Sequence, residues 1–122
     1  MSTFGRVAPS VPVTDMSRAL QFYCDLLGFT VTFTNGSPVS FASIKQGGAQ
    51  LHLGVQPTKA GSFHAHIMVD DLDSLYERLQ RANVTIRQAP KVQEWGLRDI
   101  IIVDPDGNTF EIAELAIESA SV

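Results

Sequence analysis

The sequence predicts an α+β fold made of two tandem βαβββ modules, residues 6–56 and 63–115, within a single domain spanning residues 1–122. Three observations predict it. In each half of the chain, apolar alternation at period two gives way once to helical spacing. Turn signals then separate three further short apolar runs. Finally, Val13-x-Asp15-Met16-x-x-Ala19-Leu20-x-x-Tyr23-x-x-Leu26 falls on Val69-x-Asp71-Leu72-x-x-Leu75-Tyr76-x-x-Leu79-x-x-Ala82 at a constant offset of 56 residues. A duplicated supersecondary unit accounts for such a chain without a long linker.

Taken in order, Arg6 to Val13 carries Val7, Val11 and Val13 on one parity and reads as a strand, with Pro9 and Pro12 placing it at an edge. Asp15 caps a helix on which Met16, Ala19, Leu20, Tyr23, Leu26 and Leu27 share a face, and Gly28 ends it. Strands follow at Phe29 to Thr34, Val39 to Lys45 and Ala49 to Val55, joined by Asn35-Gly36 and Gly47-Gly48 turns. Pro57 to Ser62 has linker composition. In the second module Phe63 to Val69 is a strand, and Asp71 caps a helix carrying Leu72, Leu75, Tyr76, Leu79 and Ala82. Val84 to Gln88 is a short strand, followed by a loop through Pro90 and Trp95. Arg98–Val103 and Thr109 to Leu115 flank the turn Asp104-Pro105-Asp106-Gly107-Asn108, and Ala116 to Val122 should fray.

Composition narrows the function. Of 122 residues 44% are apolar, enough for a core without staples, and the one cysteine excludes both an internal disulfide and a multi-cysteine zinc site. Nine Lys and Arg against 13 Asp and Glu give a net charge of −4, which argues against nucleic acid as a partner. No apolar run reaches the length of a membrane span, and Met1 to Arg6 lacks the order of a secretory signal. A cytoplasmic protein with no membrane partner is expected. Cys24 reads as a small packed residue, because no activating base is apparent. The acidic turn at 104–108 lacks calcium-loop spacing and is explained by turn chemistry. No Ser-His-Asp spacing, phosphate-binding glycine loop or nucleophile elbow occurs.

Strand parity singles out a polar set. If Val11, Val13, Ile67 and Val69 meet the helices, then Ala8, Ser10, His64, His66 and Met68 line the opposite sheet face. In the last strand of each module, Leu51-His52-Leu53 matches Phe110-Glu111-Ile112, so His52 and Glu111 look out on the same face as His64. Two imidazoles and a carboxylate on one sheet face suit a cleft better than a second core.

The chain resembles the vicinal-oxygen-chelate superfamily, which groups glyoxalases, extradiol dioxygenases, fosfomycin-resistance proteins and bleomycin-resistance proteins. The resemblance is carried by Val13-Thr14-Asp15-Met16-Ser17-Arg18-Ala19-Leu20-Gln21-Phe22-Tyr23 with Leu27-Gly28-Phe29, by Val69-Asp70-Asp71-Leu72, and by Asp104-Pro105-Asp106-Gly107-Asn108 leading to Glu111. Glu94-Trp95-Gly96 is most similar to the bleomycin-resistance branch. The resemblance implies a glyoxalase/bleomycin resistance fold in which the mixed sheets of the modules curl into a cleft. It also implies a homodimer, with clefts formed between modules of different chains. Metal enzymes of the family place up to four ligands at points that correspond here to Ala8, His52, His64 and Glu111. Alanine offers no donor, and lyase-type members usually carry a carboxylate or glutamine where His52 stands.

Two functions follow as expectations. The first is a metal-free, cofactor-free protein that binds and sequesters a small molecule such as an antibiotic, with a cleft bearing His52, His64, His66, Trp95, Arg98 and Glu111. On this reading Trp95 supplies a stacking surface, with plugging of the core edge as its bland alternative. The second is a lyase, isomerase or dioxygenase in which His52, His64 and Glu111 hold a divalent metal (Fe, Mn, Zn or Ni) as Lewis acid. His66 then stands ready as a proton shuttle or as a hydrogen-bonded wall residue. Arg98 and Asp99 serve equally as ligand contacts or as surface ion-pair residues, because the parity of their strand is undecided by the sequence.

Overall fold

A computed structural model of the chain describes residues 2–116. The chain divides into two compact units, Met1–Phe63 and His64–Val122. Each holds one four-stranded mixed sheet, and the two sheets share one topology: β1-β4-β3-β2 in the first unit and β5-β8-β7-β6 in the second. The expected fraying of the C-terminus concerns residues 117–122, which lie outside the described residues. Among the described residues no helix is long and apolar enough to cross a membrane.

In the first unit β1 (Ser10–Val13) runs parallel to β4 (Ala49–Val55), which pairs antiparallel with β3 (Phe41–Gln46), itself antiparallel to β2 (Thr30–Asn35). The expected first strand is cut to four residues, and Val7 is left 80% exposed. Pro9 still accepts a hydrogen bond from His52 N (2.9 Å), so pairing begins just ahead of the strand. Val11, Leu53, Ala42, Ile44 and Leu51 share one face and are all buried. Gly36 turns the β2–β3 connection at φ +99, where an added Cβ would come within 2.9 Å of Pro38 O.

The helix expected over 16–27 is not uniform. It starts as α1 (Met16–Leu20), whose cap Asp15 accepts from Arg18 N at 3.2 Å. It then widens to a π-helical segment over Gln21–Leu26, with Leu27 N donating to Phe22 O at 3.1 Å. Regular spacing would turn Phe22 and Tyr23 about 100° apart. The wider turn buries both, and their rings meet edge to face at 5.0 Å; Tyr23 also meets Phe29 at 6.4 Å. Cys24 is half-buried here. Burial, and then the charge of Asp25, pushes its thiol pKa up, so it stays protonated and unreactive.

The second unit repeats the plan. β5 (His64–Met68) runs parallel to β8 (Thr109–Leu115), and β7 (Leu97–Val103) pairs antiparallel with both β8 and β6 (Thr85–Val92). The sixth strand is longer than its expected span because it continues through Pro90, with register shifts between Ile86 and Gln88 and between Gln88 and Lys91. These irregularities accommodate a residue that cannot donate to the ladder. Helix α2 (Leu72–Arg81) is capped by Asp71, which accepts from Ser74 N at 3.1 Å, matching Asp15 one repeat earlier. Leu72 and Leu79 are fully buried with Ile100, Ile102 and Phe110.

The 104–108 turn behaves as its chemistry requires. Asp104 Oδ1 accepts from Asp106 N (2.9 Å) and Asn108 N (2.8 Å), and its Oδ2 accepts from Asn108 Nδ2 (2.9 Å). Both Asp104 and Asn108 are buried, so their donors have no recourse to solvent. Asp104→Ala is therefore expected to cost about 2–4 kcal/mol, by orphaning buried N–H groups. Urea denaturation followed by circular dichroism measures this, and an unchanged midpoint would count against the turn as a folding element.

Candidate functional site

In the first unit the face opposite α1 carries Ser10, His52, Ser43, Phe41 and Phe33. His52 lies in register with Ser10 on one side and Ser43 on the other. The Phe41 ring stands 5.1 Å from the His52 imidazole at 69°, and Phe33 stands 6.2 Å from Phe41 at 60°. The three rings form a row across β2, β3 and β4. Phe33 is 57% exposed, so the row ends in open, apolar, stackable surface. Gly54 is the register partner of Phe41, and its missing side chain leaves the row uncrowded. Ala8, the first point of the metal set, precedes β1 and offers only a methyl group.

In the second unit the parity of β5 puts His64 and His66 on the face opposite α2, where His66 is the register partner of Glu111 and His64 that of Thr109. His64 Nδ1 and Thr109 Oγ1 are 2.7 Å apart. Glu111 is hydrogen-bonded to Asp99 of β7. Asp99 is 1% exposed, and its Oδ1 also accepts from Gln88 Nε2 (2.7 Å) and Gln93 Nε2 (2.9 Å). The glutamines come from β6 and the turn after it, both brought over Asp99 by the strand's irregular register.

Two carboxyl groups in hydrogen-bond contact cannot both ionise without repulsion. The bond to Asp99, then burial, then the Asp99 charge raise the Glu111 pKa, against the opposing pull of His66 and His64. At Asp99, burial pushes the pKa up, but hydrogen bonds from Glu111, Gln93 and Gln88 and the charge of His66 outweigh it and bring it below the ordinary value. Of the two, Glu111 therefore keeps its proton to the higher pH and Asp99 is the first to ionise. Every buried side-chain polar atom among the described residues has a partner.

Arg98 points the other way. Its Nη2 donates to Asp73 Oδ1 (2.7 Å) and its Nη1 to Glu114 Oε2 (3.1 Å), while Glu114 Oε1 accepts from Leu72 N (2.8 Å). The arginine thus clamps the start of α2 to β7 and β8 on the helix-bearing face, the ion-pair role weighed in the sequence, and lies off the face of His66 and Glu111. Trp95 is 64% exposed in the tight β6–β7 turn, where Gly96 adopts φ +88 and donates to Gln93 O at 3.1 Å. It does not plug the edge of the second unit's core.

Of the metal set, His52 belongs to the first unit, and His64 and Glu111 to the second. Among the described residues no three His, Cys, Asp or Glu side chains are grouped to hold a metal ion. The raised pKa of Glu111 works against ligation, because metal ligation requires the carboxylate. Ala8 leaves the four-point set one donor short within this chain. Sequence reading missed Gln88, Gln93, Phe33 and Phe41, and left Asp99 undecided between a surface ion pair and a ligand contact.

A pH dependence follows from the carboxyl pair. Because the Glu111 pKa is raised, its contribution is full at low pH and is lost as pH climbs from the ordinary value of 4.5 through the raised one. Because the Asp99 pKa is lowered, its contribution is present above the ordinary value of 3.8 and is lost as pH falls through the lowered one. Glu111→Gln keeps a donor to Asp99 without an ionisable proton. Thermal melts from pH 4 to pH 8 should show the loss of stability above about 4.5 in the wild type and not in this variant. Parallel profiles in the two proteins would overturn the shared proton.

The sequence profile of the Glyoxalase/Bleomycin resistance protein/Dioxygenase superfamily matches residues 3–112. A bleomycin resistance protein of Geobacillus stearothermophilus is 28% identical over 120 residues, covering 82% of this chain and 89% of its own length. The crystal structure of TnmS3, an antibiotic binding protein from Streptomyces sp. CB03234, is 30% identical with a TM-score of 0.80, covering 94% of this chain and 99% of that one. A glyoxalase/bleomycin resistance protein from the same Streptomyces is 31% identical with a TM-score of 0.74, covering 88% of this chain and 98% of that one. The α+β topology, the paired caps at Asp15 and Asp71, and the Asp104-to-Asn108 turn leading into Glu111 agree with these likenesses, and the chain belongs to the glyoxalase/bleomycin resistance protein/dioxygenase superfamily.

Proposed function

We propose that this protein sequesters a small-molecule antibiotic, or a ligand of similar chemistry, without metal and without altering it covalently. The observation that carries the reading is Ala8, which offers no donor where the family's metal set begins; the raised pKa of Glu111 beside Asp99 works in the same direction. His52 supports it as well, because it is packed against Phe41 at the end of an aromatic row. Likeness to TnmS3 and to bleomycin resistance proteins supports an antibiotic as ligand. On this reading Phe33 and Phe41 in the first unit and exposed Trp95 in the second each offer flat apolar surface, and His52 in the first and His64, His66 and Glu111 in the second offer directional hydrogen bonds. The two modules act as one domain, and two copies associate as a homodimer in the cytoplasm.

Trp95 is the chain's single tryptophan, so its fluorescence reports on ligands reaching the β6–β7 turn. Titration with bleomycin and with planar polycyclic antibiotics should give saturable quenching at one site per chain, and expression should protect sensitive cells. Metal analysis of protein purified without chelator or metal-binding tag, then reconstituted with iron, manganese, zinc or nickel, should show no stoichiometric metal. Stoichiometric metal lost in His64→Ala would replace this reading with the metal-dependent lyase, isomerase or dioxygenase. Absence of both quenching and protection across the panel would remove the antibiotic as ligand.

A further inference from the structure

The segment of linker composition, Pro57 to Ser62, is a braced loop. Gln56 N donates to Val13 O (2.9 Å), which ties the loop to the end of β1. Lys59 N and Ala60 N both donate to Gln56 O (3.0 and 3.1 Å). Ser62 closes a second turn by donating to Lys59 O from its N (3.1 Å) and its Oγ (2.6 Å). Together with Ser10 and Pro12, residues Gln56, Lys59, Ser62 and Phe63 line a hollow of about 300 Å³.

The hollow's chemistry is one-sided. Its donors are the Lys59 ammonium, the Gln56 amide and the Ser10 hydroxyl, since the Ser62 hydroxyl proton is taken by Lys59 O. No carboxylate lines it, and Lys59 makes no ion pair among the described residues. The net charge of the first unit has the same sign. Residues 1–63 carry Arg6, Arg18, Lys45 and Lys59 against Asp15 and Asp25, a net +2, in a chain of net −4. The remaining residues carry five bases against eleven acids. The hollow also adjoins the aromatic row: Ser10 is the register partner of His52, and Pro12 that of Gly54. A Cβ at Gly54 would meet Gln56 Nε2 at 3.4 Å, so the amide lies over the residue that faces Phe41 across the ladder.

We propose that this hollow is an anion-accepting subsite, taking the carboxylate or a similar oxyanion of a ligand whose flat aromatic part rests on Phe33, Phe41 and His52. The inference rests on the small-molecule-binding reading and adds an acidic substituent to the ligand. Lys59 supplies charge, and Gln56 and Ser10 supply orientation.

The test uses 2-naphthoate and its neutral counterpart 2-naphthamide, titrated into ¹⁵N-labelled full-length protein and followed by backbone amide shifts. The wild type should bind naphthoate about five- to tenfold tighter than naphthamide, the range of a partly exposed charged hydrogen bond. The amides of Ser10, Gln56 and Lys59 should respond to naphthoate. Lys59→Gln should abolish the preference, and Lys59→Arg should retain it. Added salt should reduce the preference. Equal affinities in the wild type, no response of those three amides to naphthoate, or a preference surviving in Lys59→Gln would overturn the subsite. Those results leave antibiotic sequestration standing, because Trp95 quenching tests it separately. A preference abolished by Lys59→Gln supports the subsite even where no antibiotic quenches Trp95.

Discussion

Everything distinctive about the second unit depends on the period-two alternation of the β7–β8 ladder. Arg98 with Glu114, Ile100 with Ile112, and Ile102 with Phe110 face α2 as register pairs. The intervening positions, Asp99, Ile101 and Glu111, have no choice but the opposite face. One ladder thus divides two charged clusters that are neighbours in sequence. On the helix side, Arg98 and Glu114 hold the first turn of α2, with Leu72 N satisfied by Glu114. On the other side, Asp99 and Glu111 are diagonal neighbours, close enough for side chains of their length to share a proton. A slip of one residue would exchange the two sets and leave an unpaired arginine against the open face.

The duplication supplies one scaffold and two chemistries. Ser10 beside His52 in the first unit occupies the ladder position of His66 beside Glu111 in the second. The backbone constraint is the same in both, but the side chains have diverged. The first unit's face carries aromatic rings, an imidazole and a hollow with an ammonium group. The second unit's face carries imidazoles, two glutamines and a carboxyl pair. Binding needs contact area and directional groups that are already in place, and both faces supply these through residues whose partners within the unit hold them. Metal catalysis needs ionised, converging donors, and here alanine stands at one point and a carboxyl group of raised pKa at another.

Much of this was legible in the residues. The repeat at an offset of 56, the caps at Asp15 and Asp71, the 104–108 turn, and the parity of His64, His66 and Glu111 all follow from local chemistry or short periodicity. Local signals survive folding because their partners lie within a few residues. The parity of β7 was illegible, because Ile100, Ile101 and Ile102 are apolar at every position and erase the alternation that would have placed Arg98 and Asp99. The π-helical segment was illegible for a related reason. Adjacent Phe22 and Tyr23 are both buried only by a widening that a regular 3.6-residue pattern does not express.

The sequence by itself determined the fold class and the strand positions of the polar set, since each rests on spacing along one strand or helix, and its motifs carried the family resemblance. Tertiary structure alone decided what those groups do. Gln88 and Gln93 reach Asp99 through the irregular pairing of β6 with β7, and the Glu111 pKa is raised by the carboxyl group that this pairing buries beside it. Protonation and ion pairing depend on distances between strands far apart in sequence, and period-two spacing carries no information about them.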